Sequence, residues 1–176
     1  MKGLQSYPWK RIGLGTLTLA SATLLMACGN KAASTDNKDE ISWYTPTEII
    51  TLDISKNTDT YSSLAIGNSG SNLLRVDAKG KLQPDLAEKV DVSEDGLTYT
   101  ATLRDGLKWS DGSDLTAEDF VYTWKRMVDP ATASEYAYLA TESHLKNAED
   151  INTGKNTDLD SLGVKADGNK VIFTLT

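Results

Sequence analysis

The chain has 176 residues, with 18 lysines and arginines against 25 aspartates and glutamates, a formal net charge of −7. An acidic balance argues against nucleic acid as a partner, because phosphate binding needs Lys and Arg to displace counterions. It argues equally against purely electrostatic attachment to a membrane and reads as a soluble surface. A single cysteine excludes an intramolecular disulfide, so the fold has to rest on its core.

Lys2, Lys10 and Arg11 flank and precede an uncharged stretch from Ile12 to Ala27, and the lone cysteine ends Leu25-Met26-Ala27-Cys28. A positive start, an apolar middle and a small residue at the cut make residues 1–27 a bacterial secretion signal. A cysteine directly after the small residue resembles a lipobox, in which the thiol is acylated and becomes the new N-terminus; Met26 is its one mild departure. The alternative is a plain signal peptide with an incidental cysteine. Acyl anchoring contributes about 0.8 kcal/mol per buried CH₂, whereas a spanning helix needs about 20 apolar residues and the apolar stretch here is too short and wrongly flanked. The mature chain is therefore expected on the extracytoplasmic face, anchored at Cys28. Asn30 to Glu40 has no large apolar residue, so residues 28–40 read as a flexible tether. Gly29-Asn30 lacks the Asp that holds lipoproteins in an inner membrane, which points to a Gram-positive surface.

The folded part starts near Ile41. Ile41-Ser42-Trp43-Tyr44 is a short strand candidate, interrupted by Pro46, and Lys56 to Thr60 reads as a polar loop. Tyr61, Leu64 and Ala65 at helical spacing predict a helix over about 61–67, weakened by Gly67 and Gly70. Asp77-Ala78-Lys79-Gly80 is a turn, Leu86 to Val90 a short helical turn, and Ser93-Glu94-Asp95-Gly96 a second turn. Thr98 to Leu103 alternates strictly, with Tyr99, Ala101 and Leu103 on one face: a half-buried strand. Asp105-Gly106 and Asp111-Gly112 form tight turns around Leu107-Lys108-Trp109.

Thr116-Ala117-Glu118-Asp119 is a helix start, with the Thr116 hydroxyl placed to accept an N–H near Asp119. Phe120, Val121, Trp124, Met127 and Val128 form the stripe of that helix, which Asp129-Pro130 ends. Trp109, Phe120 and Trp124 read as core anchors. Ser134 to Leu145 predicts a second helical stretch with Tyr136, Leu139 and Ala140 inward, and Ile151 to Asp160 a polar loop. Val164 to Leu175 reads as a hairpin turning at Asp167-Gly168-Asn169. The chain stops inside that strand, which suggests a piece of a longer protein. His144 stands alone as a surface residue, no spacing supports a metal site, and no hydrolase motif occurs. A lipid-anchored hydrolase would need a nucleophile and base elsewhere.

Leu103-Arg104-Asp105-Gly106-Leu107-Lys108-Trp109-Ser110-Asp111-Gly112, followed by Leu115 to Arg126, resembles the signature of oligopeptide-binding lipoproteins, the family 5 extracellular solute-binding proteins of peptide ABC transporters. Thr51-Leu52-Asp53, Pro84 to Glu88 and Asp129 to Tyr136 also match, so the resemblance covers Ile41 to Thr176. Ile54 stands where the family usually has Pro, and Ser71-Asn72-Leu73 where it often has Glu-Gly-Leu. The resemblance implies an α/β fold of the periplasmic-binding-protein-like type II class, bilobal and hinge-bending. Residues 41–70 would start the first lobe, and residues 71–176 would form most of a small accessory α+β domain. It implies a monomer without cofactor or catalysis, binding oligopeptides by main-chain pairing and docking on permease subunits.

By the same resemblance Thr58, Asp59 and Thr60 lie in a loop bordering the peptide and Tyr136 at a wall of the cleft. The plainer alternative is a solvated loop and a core tyrosine. The acidic partner for the peptide's amino terminus falls in a second lobe outside this sequence, so the 176-residue chain alone is expected to bind peptide weakly or not at all. A signalling-peptide receptor, a binder of another solute and a non-transport adhesin remain alternatives of the same family.

Overall fold

The computed structural model describes residues 42–176. The secretion signal, Cys28 and the tether lie outside the described residues, as does Ile41 at the start of the first expected strand; Ser42 to Tyr44 pair with no strand. No helix among the described residues is long and apolar enough to cross a membrane. Residues 45–176 form one compact unit.

The elements in chain order are helix α1 (Thr60–Ser69), strands β1 (Leu74–Val76) and β2 (Leu82–Pro84), strands β3 (Ala87–Val92) and β4 (Thr98–Leu103), helix α2 (Ala117–Val128), a 3-10 turn (Pro130–Thr132), helices α3 (Ala137–Glu142) and α4 (Ala148–Asn152), a second 3-10 turn (Leu159–Ser161), and strands β5 (Val164–Asp167) and β6 (Lys170–Thr174). β1 and β2 form a small antiparallel hairpin; the other four strands make an antiparallel sheet in the order β3-β4-β6-β5. Two hairpins, β3–β4 and β5–β6, meet along β4 and β6; α2 packs on one face over β5 and β6, and α3 and α4 pack against α2 and each other.

The alternation in β4 places Ala101 and Leu103 inward, 2% and 3% exposed, against Val121 and Val128 of α2 and Val171 of β6 in one core, while Tyr99, expected on the same face, lies beyond the core's edge and is 37% exposed. Ile151, Leu162 and Val164 complete its other end. Thr102, on the opposite face between Lys89 and Lys170, is also buried, and its hydroxyl has no hydrogen-bond partner among the described residues. Cross-strand neighbours thus cover a position that periodicity alone assigns to solvent.

α2 starts as its sequence dictates, by a somewhat different bond. The Asp119 carboxylate accepts from the Thr116 N–H at 2.7 Å and from the Thr116 hydroxyl at 3.1 Å, while the Asp119 N–H donates to the Thr116 carbonyl at 3.2 Å. Glu118 and Asp119 sit in the first turn and Lys125 and Arg126 in the last, both favourable to the helix dipole. Asp129 then caps the 3-10 turn by accepting from the Ala131 N–H at 2.9 Å.

Four sequence expectations are corrected. Leu86 to Val90 is not a helical turn, since Ala87–Val92 pairs with β4 across a bulge between Ala87 and Lys89; the ladder overrides the helical preference of Ala, Glu and Lys. The helical stretch 134–145 shrinks to Ala137–Glu142, because His144 takes a left-handed conformation with φ 57°. Within it Ala140 is buried but Leu139 is 48% exposed. The expected loop 151–160 begins inside α4, with Ile151 only 1% exposed. Trp109 is no core anchor: it is 49% exposed. Phe120 and Trp124 do pack on the core, Trp124 edge-on to Phe173 with centroids 5.4 Å apart.

Candidate functional site

The loop before α1 is built on buried polar residues. Asn57 is 5% exposed and Ser55 3%. The Asn57 side-chain amide donates to the Ser63 hydroxyl at 2.7 Å, and its side-chain oxygen accepts from the Asp59 N–H at 3.2 Å. Asp59 is the N-cap of α1, accepting from the Ser62 N–H at 2.8 Å. Hydrogen bonding from the Ser62 side chain and N–H holds the Asp59 carboxyl below its ordinary range. Thr58 and Thr60, on either side, are exposed. Ser62, fully buried, accepts from the Ile50 N–H at 3.1 Å and so fastens the preceding extended chain to the helix.

Tyr136 lies against this loop. Its hydroxyl donates to the Asn57 carbonyl at 2.5 Å, and next to it the Glu135 N–H donates to the Ser55 carbonyl at 3.2 Å. The structure therefore brings the four ligand-binding candidates, Thr58, Asp59, Thr60 and Tyr136, to one place. Asp59 has a defined structural duty there, Tyr136 is a half-buried brace, and only the two threonines are open side chains. Sequence reading misses Ser55, Asn57 and Ser62. The run Asn57-Thr58-Asp59, in which both Asn and Asp bond the chain two or three residues on, is the available signal.

A second tie lies one helix turn away. Arg126 of α2 grips Asp53 with both terminal guanidinium nitrogens, donating at 2.8 and 2.6 Å. Beside it is a cavity of about 360 Å³ lined by Ile54, Tyr122 and Thr123. The Arg126 hydrogen bonds, helped by the Ser55 N–H and opposed by burial, lower the Asp53 carboxyl from its ordinary 3.8 to about 2. A carboxyl lowered on folding stabilises the fold above its unfolded pKa, and that stability is lost as pH falls from about 4 towards 2. We expect Arg126→Gln to cost about 1–2 kcal/mol at neutral pH, allowing for an Asp53 side chain 28% exposed. Urea midpoints measured against pH check this: the gap between wild type and variant should close below about pH 3.

Between α1 and α2 runs an apolar groove of about 690 Å³. Phe120, Trp124 and Met127 line it from α2, Ile66 from α1, and Trp109 and Leu139 complete it. Exposed Trp109 is thus a groove residue. Among the described residues no group of three His, Cys, Asp or Glu could hold a metal ion. The perturbed acids and bases are all shifted so as to favour their charged forms, by caps and ion pairs. The groove is lined mainly by apolar side chains, a lining suited to shape and apolar contact.

Residues 81–176 match the family model described as bacterial extracellular solute-binding proteins, family 5 Middle. The chain is 49% identical over 167 residues to the dipeptide-binding protein of Lactococcus lactis, covering 95% of this chain and 29% of that protein. It is 37% identical over 171 residues to the oligopeptide-binding protein OppA of Bacillus subtilis, covering 93% of this chain and 31% of that one. The chain therefore spans less than a third of the length of these relatives. Among solved structures, the substrate-binding domain of an oligopeptide ABC transporter from Bacillus anthracis superposes with a TM-score of 0.68 at 46% identity, over 73% of this chain and 24% of that one. The murein tripeptide-binding protein MppA in its unliganded open form gives 0.68 at 37% identity, over 71% and 24%. The α/β fold of the type II binding-protein class expected from the motifs is the fold of these neighbours. Matched to the family model from Lys81 to Thr176 and to these relatives along nearly all of its length, this chain belongs to the family 5 bacterial extracellular solute-binding proteins.

Proposed function

We propose that this chain is part of a lipid-anchored extracytoplasmic protein that captures oligopeptides and presents them to the permease subunits of an ABC importer. The observation that carries the reading is similarity running through 93–95% of the chain to proteins named for binding dipeptides and oligopeptides. In this reading residues 41–70 begin the first lobe and residues 71–176 form most of the accessory domain. The Asp53–Arg126 and Asn57–Tyr136 ties then fasten one to the other. Thr58 and Thr60 border the peptide, Asp59 sets the turn that presents them, and Tyr136 walls the cleft. Main-chain pairing accepts many sequences, and lobe closure marks the loaded state. Cys28 carries the acyl anchor at a Gram-positive surface, and the protein works as a monomer.

Native mass spectrometry of the natural product, extracted from its own membranes, tests this. The expected result is a lipidated species beginning at Cys28 with heterogeneous adducts that sequence as peptides, and with Thr58→Ala plus Tyr136→Ala reducing the loaded fraction. A lipidated product that carries no adduct and takes up no peptide from a mixed pool would overturn the transport reading.

A further inference from the structure

Four Asp-Gly steps occur among the described residues: Asp95-Gly96, Asp105-Gly106, Asp111-Gly112 and Asp167-Gly168. Glycine after aspartate leaves the backbone nitrogen open to approach by the preceding carboxyl, because no side chain stands in the way. The four steps are not equally free to react.

At Asp95 the carboxylate accepts from the Ser93 hydroxyl at 2.5 Å and the Leu97 N–H at 3.0 Å, and the Gly96 N–H donates to the Ser93 carbonyl at 2.9 Å. At Asp111 the carboxylate accepts from the Ser113 hydroxyl at 2.7 Å and N–H at 2.9 Å, and the Gly112 N–H donates to the Trp109 carbonyl at 2.9 Å. Both electrophile and nucleophile are therefore engaged. The serine hydroxyls also hold both carboxyls below their ordinary range, in the ionised form that is the poorer electrophile. At the fourth step the Asp167 carboxylate and the Gly168 N–H likewise have no hydrogen-bond partner among the described residues and both residues are exposed, but Asp167 ends β5 and its backbone is fixed in register opposite Lys170 by the hairpin ladder.

Asp105 lacks both the hydrogen bonds of the first two steps and the ladder that holds Asp167. Its carboxylate and the Gly106 N–H have no hydrogen-bond partner among the described residues. Both residues are exposed, in a turn outside any strand or helix. The chain before the turn is held, since the Arg104 N–H donates to the Leu86 carbonyl at 3.0 Å and the Arg104 Nε–H to the Asp85 carbonyl at 2.5 Å.

We propose that Asp105 is a site of spontaneous isoaspartate formation in the folded protein, the first of the four Asp-Gly steps to convert. The Gly106 nitrogen attacks the Asp105 Cγ, a C–N bond forms, and the Cγ hydroxyl leaves as water with the amide proton. One water then opens the succinimide at the main-chain carbonyl. The net composition is unchanged, and the backbone gains a methylene between residues 105 and 106. The lengthened turn feeds Leu107 and Trp109, so conversion resets the edge of the apolar groove.

The test is ageing of the folded protein at neutral pH, with isoaspartate located by peptide mapping with electron-transfer fragmentation and quantified by isoaspartyl methyltransferase labelling. We expect accumulation at Asp105 at least about tenfold faster than at Asp95 or Asp111, the factor that two ordinary hydrogen bonds carry. Asp105→Glu should abolish that signal, and Ser113→Ala should raise the one at Asp111 several-fold. Equal rates at the four steps, or earlier conversion at Asp95, Asp111 or Asp167, would overturn the proposal.

Discussion

Gly163→Ala is expected to cost about 3 kcal/mol or more, a large fraction of the 5–15 kcal/mol that holds an ordinary domain together. Gly163 is buried where three chain segments meet. Its N–H donates to the Lys146 carbonyl at 2.8 Å, the Lys146 N–H to the Thr174 carbonyl at 2.9 Å, and the Thr174 N–H to the Gly163 carbonyl at 2.7 Å. A methyl group there would stand 2.4 Å from the Thr174 carbonyl oxygen, 2.8 Å from the Lys146 Cβ and 2.9 Å from the Lys146 nitrogen. These neighbours are main chain or the first atom beyond it, so no rotamer change relieves the clash, and the closed ring of hydrogen bonds must open. Urea denaturation followed by tryptophan fluorescence reads the effect. Gly67→Ala is the control, because a methyl group at that position, inside α1, would have nothing within 4 Å of it. It should stabilise by about 0.5–1 kcal/mol. A Gly163→Ala midpoint equal to wild type would refute the account.

Ile151→Ala should lower stability by about 2–5 kcal/mol. Ile151 is 1% exposed at the end of α4, in the core cluster with Leu162 and Val164. Removing three carbons there leaves a void that the surrounding core fills only in part. Ile172→Ala on the opposite face of the sheet, where the side chain is half exposed, should cost clearly less. A reversed order would mean that the sheet's outer face carries the core.

Ile151 also marks where sequence reading stops. β4, the β5–β6 hairpin, the Asp-Gly turns and the start of α2 are legible because each is written in a few consecutive residues: strict alternation, a two-residue turn, a carboxylate three residues after a threonine. Ile151 sits alone among polar neighbours, so no periodicity announces it; Asn147 in a left-handed conformation and the Gly154 turn isolate a helix of five residues. β3 is hidden because Ala-Glu-Lys favours helix until a partner strand claims it. Trp109 misleads because a large aromatic predicts burial without saying which surface buries it. At the candidate site, Thr58 to Thr60 and Tyr136 follow from family resemblance, while the bonds that join them depend on Asn57, Ser55 and Ser62. Those are small polar residues whose burial is decided by chain segments far away in sequence.

That distance has a consequence for the order of events in assembly. Asp53 finds its guanidinium 73 residues downstream, and the Asn57 carbonyl its phenol 79 residues downstream. Closing loops of that length carries an entropic cost that local pairing does not. On a chain delivered from its N-terminus, the segment before α1 therefore waits, its polar groups hydrated, until α2 and the turn after it have arrived. The opening residues of the fold thus emerge well before the side chains that tie them down, and a chaperone or protease that samples the newly emerged chain meets them first.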